Sequence, residues 1–454
     1  MNSIKPFDYI ILIILCVYFV LFKLEVSDND IRFFIFLNVL VYVRVFLNIL
    51  RNYGFKSVFV FFIFNFGVFL YSRVFLDFLG FVDFGWANKW NYFLFSNEVK
   101  FELLFLLCFS FQLIYLGYKL PIKSKIKSIR VLNLPRLELY AIIIFLLSCP
   151  GLIYKYFLQF KFVLANGYLS LYNGAIQSVK YPFWTYGSGF LVEMSFAVFL
   201  ASMPKKRTYL IYSSIFMLLQ VLDVLKGGRS KLFLPLMFVI WFYYKFYAKS
   251  FKVNLPKLIF YGVALILVSQ ALLMFRDSNN VVFELGSFSS LFVIFFEQQG
   301  VSLLVPGYLI HYKTEFINES LPYILYPLNI FDNFSVQSIE YVRQTLSLGS
   351  KLTYFLAPED YLDGQGIGSS YIAELYDLGY WGVFIGSMIL GVLFNKFDKL
   401  ILSNRYIVFL SYIFFESIAY MPRASFFPSL KVVLSASVIY LLYIILRVKN
   451  FEEN

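Results

Sequence analysis

The densest set of chemically capable residues in this chain is Gly364-Gln365-Gly366-Ile367-Gly368-Ser369-Ser370-Tyr371-Ile372-Ala373-Glu374-Leu375-Tyr376, which runs through Asp377 into an apolar segment from Gly379. Glycines, hydroxyls and one carboxylate stand together where the chain enters apolar surroundings. Glu374 is that carboxylate, a group able to take or hold a proton. His311, the only histidine, is a second such group, although a lone histidine beside Tyr312 is more often an ordinary loop residue. Four arginines, Arg229, Arg276, Arg343 and Arg423, offer planar forks matched to phosphate oxygens. Arg229 belongs to Lys226-Gly227-Gly228-Arg229-Ser230-Lys231, where two glycines let the backbone turn tightly toward a ligand. A short turn whose cations meet lipid headgroups is the other reading of that run. Asp28-Asn29-Asp30 has the Asp-x-Asp form that metal sites use, but before an apolar run it reads as a helix cap. We expect no metal and no cofactor.

The elements that must position these groups are membrane helices. Of 454 residues, 60% are hydrophobic and 15% charged, and several apolar runs are long enough for a bilayer. The expected spans are 7–23, 31–50, 55–72, 101–118, 138–158, 187–203, 208–224, 232–248, 258–275, 379–395, 404–420 and 428–446. Cys16, Cys108 and Cys149 fall inside apolar runs, so no disulfide framework or zinc spacing is present. The first run is followed by Val26-Ser27-Asp28-Asn29-Asp30 and not by small residues, so it reads as an uncleaved helix.

Charge placement gives the orientation. The segment from Lys119 to Arg136 carries six cations and no acid, and Lys205-Lys206-Arg207 and Lys249, Lys252 and Lys257 mark two loops of the same side. By the positive-inside rule that side is cytoplasmic, with both termini on it. The excess of 39 basic over 27 acidic residues is thus topological, and nucleic acid is an improbable partner.

Between the ninth and tenth expected spans lie about a hundred residues, 276–378, far beyond an ordinary connection. Ten acids against four bases in 276–371 set this loop apart from the basic side. Within it, Phe288 to Phe296 is apolar but too short to span, and Glu297-Gln298-Gln299-Gly300 bounds it. It reads as re-entrant or interfacial. Val336, Ile339, Val342 and Leu346 have helical spacing that leaves Arg343 on the polar side. The expected division is 1–275 (nine helices), 276–378 (the large loop) and 379–454 (three helices). Polar residues at membrane depth need a reason. Glu193, Asp223, Lys226 to Lys231, Arg276, Asp277, Glu374, Asp377, Glu416 and Arg423 all fall at the non-basic ends of spans. A mixed pocket of this kind suits a lipid-linked, phosphate-bearing substrate.

The Gly-Gly-Arg-Ser turn, Phe295-Phe296-Glu297-Gln298-Gln299-Gly300-Val301-Ser302 and Gly366-Ile367-Gly368-Ser369-Ser370-Tyr371-Ile372-Ala373-Glu374-Leu375-Tyr376 together resemble O-antigen and oligosaccharide repeat-unit polymerases of the Wzy type. The resemblance implies an all-α polytopic protein similar to the GT-C glycosyltransferases, ligase-like, with one large periplasmic loop. It implies a metal-independent enzyme of the inner membrane that polymerises undecaprenyl-diphosphate-linked repeats, with a chain-length regulator protein as a possible partner. On it, Glu374 or His311 handles the acceptor hydroxyl, and the four arginines hold the diphosphate. An O-antigen ligase shares this chemistry. A lipid-linked oligosaccharide flippase is a third reading, against which the hundred-residue loop argues.

Overall fold

The computed structural model describes all residues except 1–5, 23–24, 88–92, 122–133, 229, 249–261, 265, 269, 271–287, 317–320, 331–335 and 450–454. Apolar runs with few breakers become helices: α1 Pro6–Phe22, α2 Asp28–Tyr53, α3 Val58–Phe66, α4 Ser72–Phe78, α5 Asn97–Lys119, α6 Pro135–Asn166, α7 Ser188–Ala201, α8 Lys206–Val224 and α9 Ser230–Phe246. A π-helical stretch, Gly67–Tyr71, joins α3 to α4. Later in the chain come α10 Phe288–Gln299, α11 Leu304–His311, α12 Gly379–Leu400, α13 Arg405–Tyr420 and α14 Leu430–Lys449. A two-residue hairpin, β1 Trp86–Ala87 with β2 Phe93–Leu94, is the sheet among the described residues.

By length and composition, seven helices among the described residues can cross a membrane. Every expected span other than 258–275 coincides with a helix; that one lies largely outside the described residues. At about 1.5 Å per residue, the 32 residues of α6 exceed a 30 Å hydrocarbon core, so this helix projects beyond it. Asp28-Asn29-Asp30 opens α2, where Ser27 and Asp30 form a reciprocal capping box.

One expectation needs correcting. The apolar run at 288–296 is not a short isolated piece, because Glu297-Gln298-Gln299-Gly300 does not end the helix. The chain continues through a 3-10 turn, Gly300–Leu303, into α11, giving a helical run from Ser290 to His311 long enough to cross a membrane. Glutamate and glutamine are good helix formers, and this stretch is held from the side by α4. The run packs on the π-helical stretch, α4, the start of α5 and the helix Tyr371–Tyr376.

α12 lies tightly along α5, at the chain's most extensive helix pairing. The approach depends on two glycines. A Cβ at Gly391 would lie 2.1 Å from the Ile114 carbonyl oxygen, and one at Gly117 would lie 2.4 Å from that of Met388. Small residues at such crossings let backbones touch where lipid removes the hydrophobic drive for association.

The helix ends sort into two sets. At one end, Asp398 accepts from Ser57 Oγ (2.7 Å), Tyr118 OH (2.9 Å), the Val58 N–H (3.1 Å) and Lys245 Nζ (3.1 Å). Leu134 N–H donates to the Ser202 carbonyl and Tyr247 OH to that of Pro204, so the chain flanking all three basic loops meets there. The opposite end gathers Arg73, Glu297, Glu374 and Arg423.

Gly391→Ala should push α12 off α5 and cost about 1–3 kcal/mol, the usual range for overpacking. Thermal melting of the purified protein in detergent should register it as a clear drop. An unchanged melting temperature would show that the crossing is looser than these distances require.

Candidate functional site

Two segments far apart in sequence lie side by side at the Glu374 end. One is the motif at 364–376 and the other is the turn at 421–426 between α13 and α14. Gly368, at φ +83°, faces the Arg423 carbonyl at 3.0 Å from where a Cβ would stand. The left-handed backbone and the close approach both exclude a larger residue there. Ser369 N–H donates to the Arg423 carbonyl (3.3 Å) and Tyr371 N–H to that of Met421 (3.3 Å). Across the same seam, Glu374 accepts from Ser369 Oγ (2.7 Å) and from the Phe426 N–H (2.9 Å). Glu374 is fully buried.

The motif is anchored on its other sides too. Ile367 N–H donates to Thr353 Oγ1 (3.1 Å), and Asp377 accepts from the Tyr323 N–H (2.9 Å). Tyr371 OH meets Ser110 Oγ (2.9 Å), while the hydroxyls of Tyr376 and Tyr380 both donate to Glu102. The tyrosines of the motif therefore serve as polar anchors into α5.

Glu374 precedes α12 and stands outside the membrane-crossing helices. Burial pushes its carboxyl up to about 7, and the bonds from Ser369, Phe426 and Ser425 only partly offset that. An acid whose ionisation the fold disfavours is matched to proton transfer near neutral pH.

Of the described candidates, the structure brings the backbone of Arg423 to the Glu374 segment, and brings neither Arg343 nor His311 there. Arg423 is half-buried, its guanidinium 5.4 Å from the centre of the Phe69 ring and 3.5 Å from both the carbonyl and the side-chain oxygen of Gln299. Arg343 is exposed on the helix Ile339–Gln344 next to buried Val342, but the expected apolar face is not formed, since Ile339 is exposed and Val336 and Leu346 lie outside the helix. His311 is exposed at the end of α11, packed on the rings of Phe93, Phe95 and Tyr312. Arg229 and Arg276 lie outside the described residues.

A second charged group adjoins this seam. Lys226 pairs with Asp223, donates to Gln159 Oε1 (2.7 Å) and lies 4.2 Å from the centre of the Tyr156 ring. Lys231 is within electrostatic reach of Glu193, Glu416 and Asp223, and also of Tyr420, whose ring meets Phe69 edge-on. Phe69 thus touches both groups, through Arg423 and through Tyr420.

Two residues escaped the sequence reading. Arg73 is fully buried, directly after the π-helical stretch, and donates to the carbonyls of Trp86 (2.6 Å) and Glu297 (3.3 Å). It fastens the hairpin and α10 to the start of α4. In sequence it looks like an ordinary cation flanking an apolar run. Glu102 had a usable signal, a carboxylate in the second turn of α5 at the same non-basic end as Glu374. Among the described residues, no group of three or more histidine, cysteine or carboxylate side chains is placed to hold a metal.

Raising the pH from about 5 to about 8 ionises the buried Glu374. Its native carboxyl titrates near 7 against 4.5 normally, so its stabilising contribution is full below 4.5 and lost through 7. Melting of the wild type should therefore fall across that interval, and Glu374→Gln should flatten the slope. Parallel slopes in the two proteins would show that this carboxyl does not titrate there.

Comparison with known proteins agrees with the motifs. Residues 5–454 match the family model of the O-antigen polysaccharide polymerase Wzy. No curated protein and no solved structure matches the chain. With essentially its whole length covered and its helices apolar enough for a bilayer, the chain belongs to the O-antigen polysaccharide polymerase Wzy family, membrane proteins of polysaccharide biosynthesis.

Proposed function

We propose that this chain polymerises undecaprenyl-diphosphate-linked O-antigen repeats at the periplasmic face of the inner membrane, through a ligase-like GT-C bundle of twelve spans. On this reading 276–378 is the periplasmic cap, and the Ser290–His311 run lies against the outer ends of its neighbours without crossing. The reaction joins the anomeric carbon of the growing chain to an acceptor hydroxyl oxygen of the incoming repeat. The bond from that carbon to the diphosphate oxygen breaks, the lipid diphosphate leaves with the electron pair, and the hydroxyl proton passes to a base. Glu374 is the base or orienting acceptor, because its carboxyl near 7 matches that task, and exposed His311 is the reserve. Arg423 faces the leaving diphosphate, with Arg229, Arg276 and Arg343 as the remaining cations.

The observation that carries this reading is the seam itself. A glycine-rich segment with a buried carboxyl is hydrogen-bonded to the turn that bears Arg423, which supports a site that joins a base and a cation. Preorganised donors aimed at developing charge supply much of an enzyme's rate.

Orientation is tested by fusing a reporter active only outside the cytoplasm. Fused after Ser350 it should be active, and after Ser128 it should be silent. A silent Ser350 fusion would mean that Ser290–His311 crosses, which would put the site on the wrong side.

Chemistry is tested with purified lipid-linked repeats and matched protein amounts. Arg423→Lys and Arg229→Lys should each lose about 10²–10³ in rate, since an ammonium cannot form two parallel bonds to phosphate. Glu374→Gln should make single repeats only. Near-normal polymer from both lysine variants would mean that Arg276 or Arg343 holds the diphosphate; from Glu374→Gln it would move His311 to the base.

A further inference from the structure

The tip of α6 carries a feature that the Glu374 seam does not use. The Leu134 N–H donates to the Ser202 carbonyl, so α6 starts level with the end of α7, on the side of the basic loops. Its excess length therefore lies at the opposite end. Trp184 and Tyr186 are exposed beside the middle of α6, where a Cβ on Gly151 would stand 2.9 Å from the Trp184 carbonyl oxygen. Exposed tryptophan and tyrosine mark the level of a membrane surface. From Gly151 to its last residue, Asn166, α6 runs on for about 20 Å. What stands at its tip is beyond the lipid headgroups.

The tip is the 3-10 turn Tyr168–Leu171 with Tyr172 directly after it. Tyr172 is 43% exposed, and its ring meets that of Tyr168 edge-on at 5.4 Å, with the two hydroxyls 2.8 Å apart. The turn is seated on the start of the glycine-rich segment. A Cβ on Gly364 would lie 2.6 Å from the Leu169 carbonyl oxygen and 3.2 Å from the Tyr172 Cβ. The Tyr172 carbonyl accepts from the Gln337 N–H (3.1 Å), and the Gln337 side chain donates to the Gln365 carbonyl (3.1 Å). Gln365 in turn donates to Asp360 (2.7 Å). An aromatic surface is thus bordered by two amides and a carboxylate, all three partly exposed.

This surface is also connected to the seam. From Gly364 the chain runs without helix to Ser370, a step that spans at most about 20 Å, and Gly366 and Gly368 are exposed along it. Glycines keep side chains off that path, so a ligand can lie against the backbone. A pyranose ring matches both features. Its apolar C–H face rests on the electron-rich face of an aromatic ring, and its rim of hydroxyls pairs with amides and carboxylates.

We propose that Tyr172, with Tyr168 beside it, is a stacking platform for a sugar ring of the lipid-linked repeat, a few sugars away from the bond being made. Gln365 and Asp360 bind the hydroxyls of that sugar. The proposal rests on the polymerase reading and names where the glycan is gripped. Tyr172 acts on binding and not on proton transfer, so its loss moves KM and leaves kcat.

The test uses the full chain in detergent with purified lipid-linked repeats, and separately with the oligosaccharide released from them. Tyr172→Ala should raise KM about tenfold with kcat nearly unchanged, which is the mark of lost uniform binding. Tyr172→Phe keeps the ring and should stay close to the wild type. Tyr172→Leu keeps an apolar side chain against Gly364 and should behave as Tyr172→Ala does, with a melting temperature like that of the wild type. Titration of the released oligosaccharide, followed by saturation-transfer NMR, should show the same order of affinities. A wild type that makes no polymer would sink the polymerase reading, while the titration would still decide the platform. No binding of the oligosaccharide by the wild type, or unchanged affinity and KM in both Tyr172→Ala and Tyr172→Leu, would overturn the proposal. Weaker membrane retention as the one effect of these variants would also overturn it, and would assign the tyrosines to lipid headgroups.

Discussion

The buried carboxyl of Glu374 is the point on which the described site depends. It receives a hydrogen bond from its own segment, at Ser369, and bonds from the turn, at the Phe426 N–H, 52 residues further along the chain, and at the Ser425 hydroxyl. Without it, the contact between the 364–376 motif and the 421–426 turn would rest on two long backbone bonds. An unpaired buried N–H at Phe426 costs about 1–3 kcal/mol, enough to loosen the turn that carries Arg423. Position and protonation are thereby coupled, because the same two oxygens hold the seam and titrate.

The membrane imposes the wider constraint. Polar side chains at helix ends must find partners within the protein, and this chain concentrates them in two places. At one end, Asp398 draws four donors from three separate parts of the chain. At the other, tyrosine hydroxyls, Glu102 and Arg73 do the same work with longer side chains. The span between is filled by stacked aromatics such as Phe66 on Phe111 and Phe196 on Phe216. A largely apolar middle with polar fastenings at both ends keeps the helices in register without charge at mid-depth.

Helix positions were legible in the sequence because apolar length is a local property, and runs such as 101–118 and 379–395 say directly where a helix must lie. The side of the basic loops was legible too, since lysine and arginine mark it without reference to partners. Ser290–His311 was not, because a polar run looks like a terminus until Arg73 is seen holding it. Arg73 was hidden for a related reason, and Glu102 was legible only as a carboxylate at the non-basic end. Glu102 takes its meaning from Tyr376, 274 residues away, and Arg73 from a carbonyl 224 residues away. Glu374 was found from its motif, yet the motif gives no sign that both its oxygens are engaged within the fold.

That engagement bears on how a base could work here. Each oxygen of this carboxyl accepts a bond, Oε1 from Ser369 Oγ and Oε2 from the Phe426 N–H, and the Ser425 hydroxyl also bonds to it. A hydroxyl both donates and accepts, whereas a backbone N–H only donates, so the serine bonds are the ones able to exchange while the Phe426 bond stays. On the proposed reading, with Glu374 as base, an acceptor hydroxyl would exchange with a serine bond, and the Phe426 bond would hold the carboxyl as its charge changes.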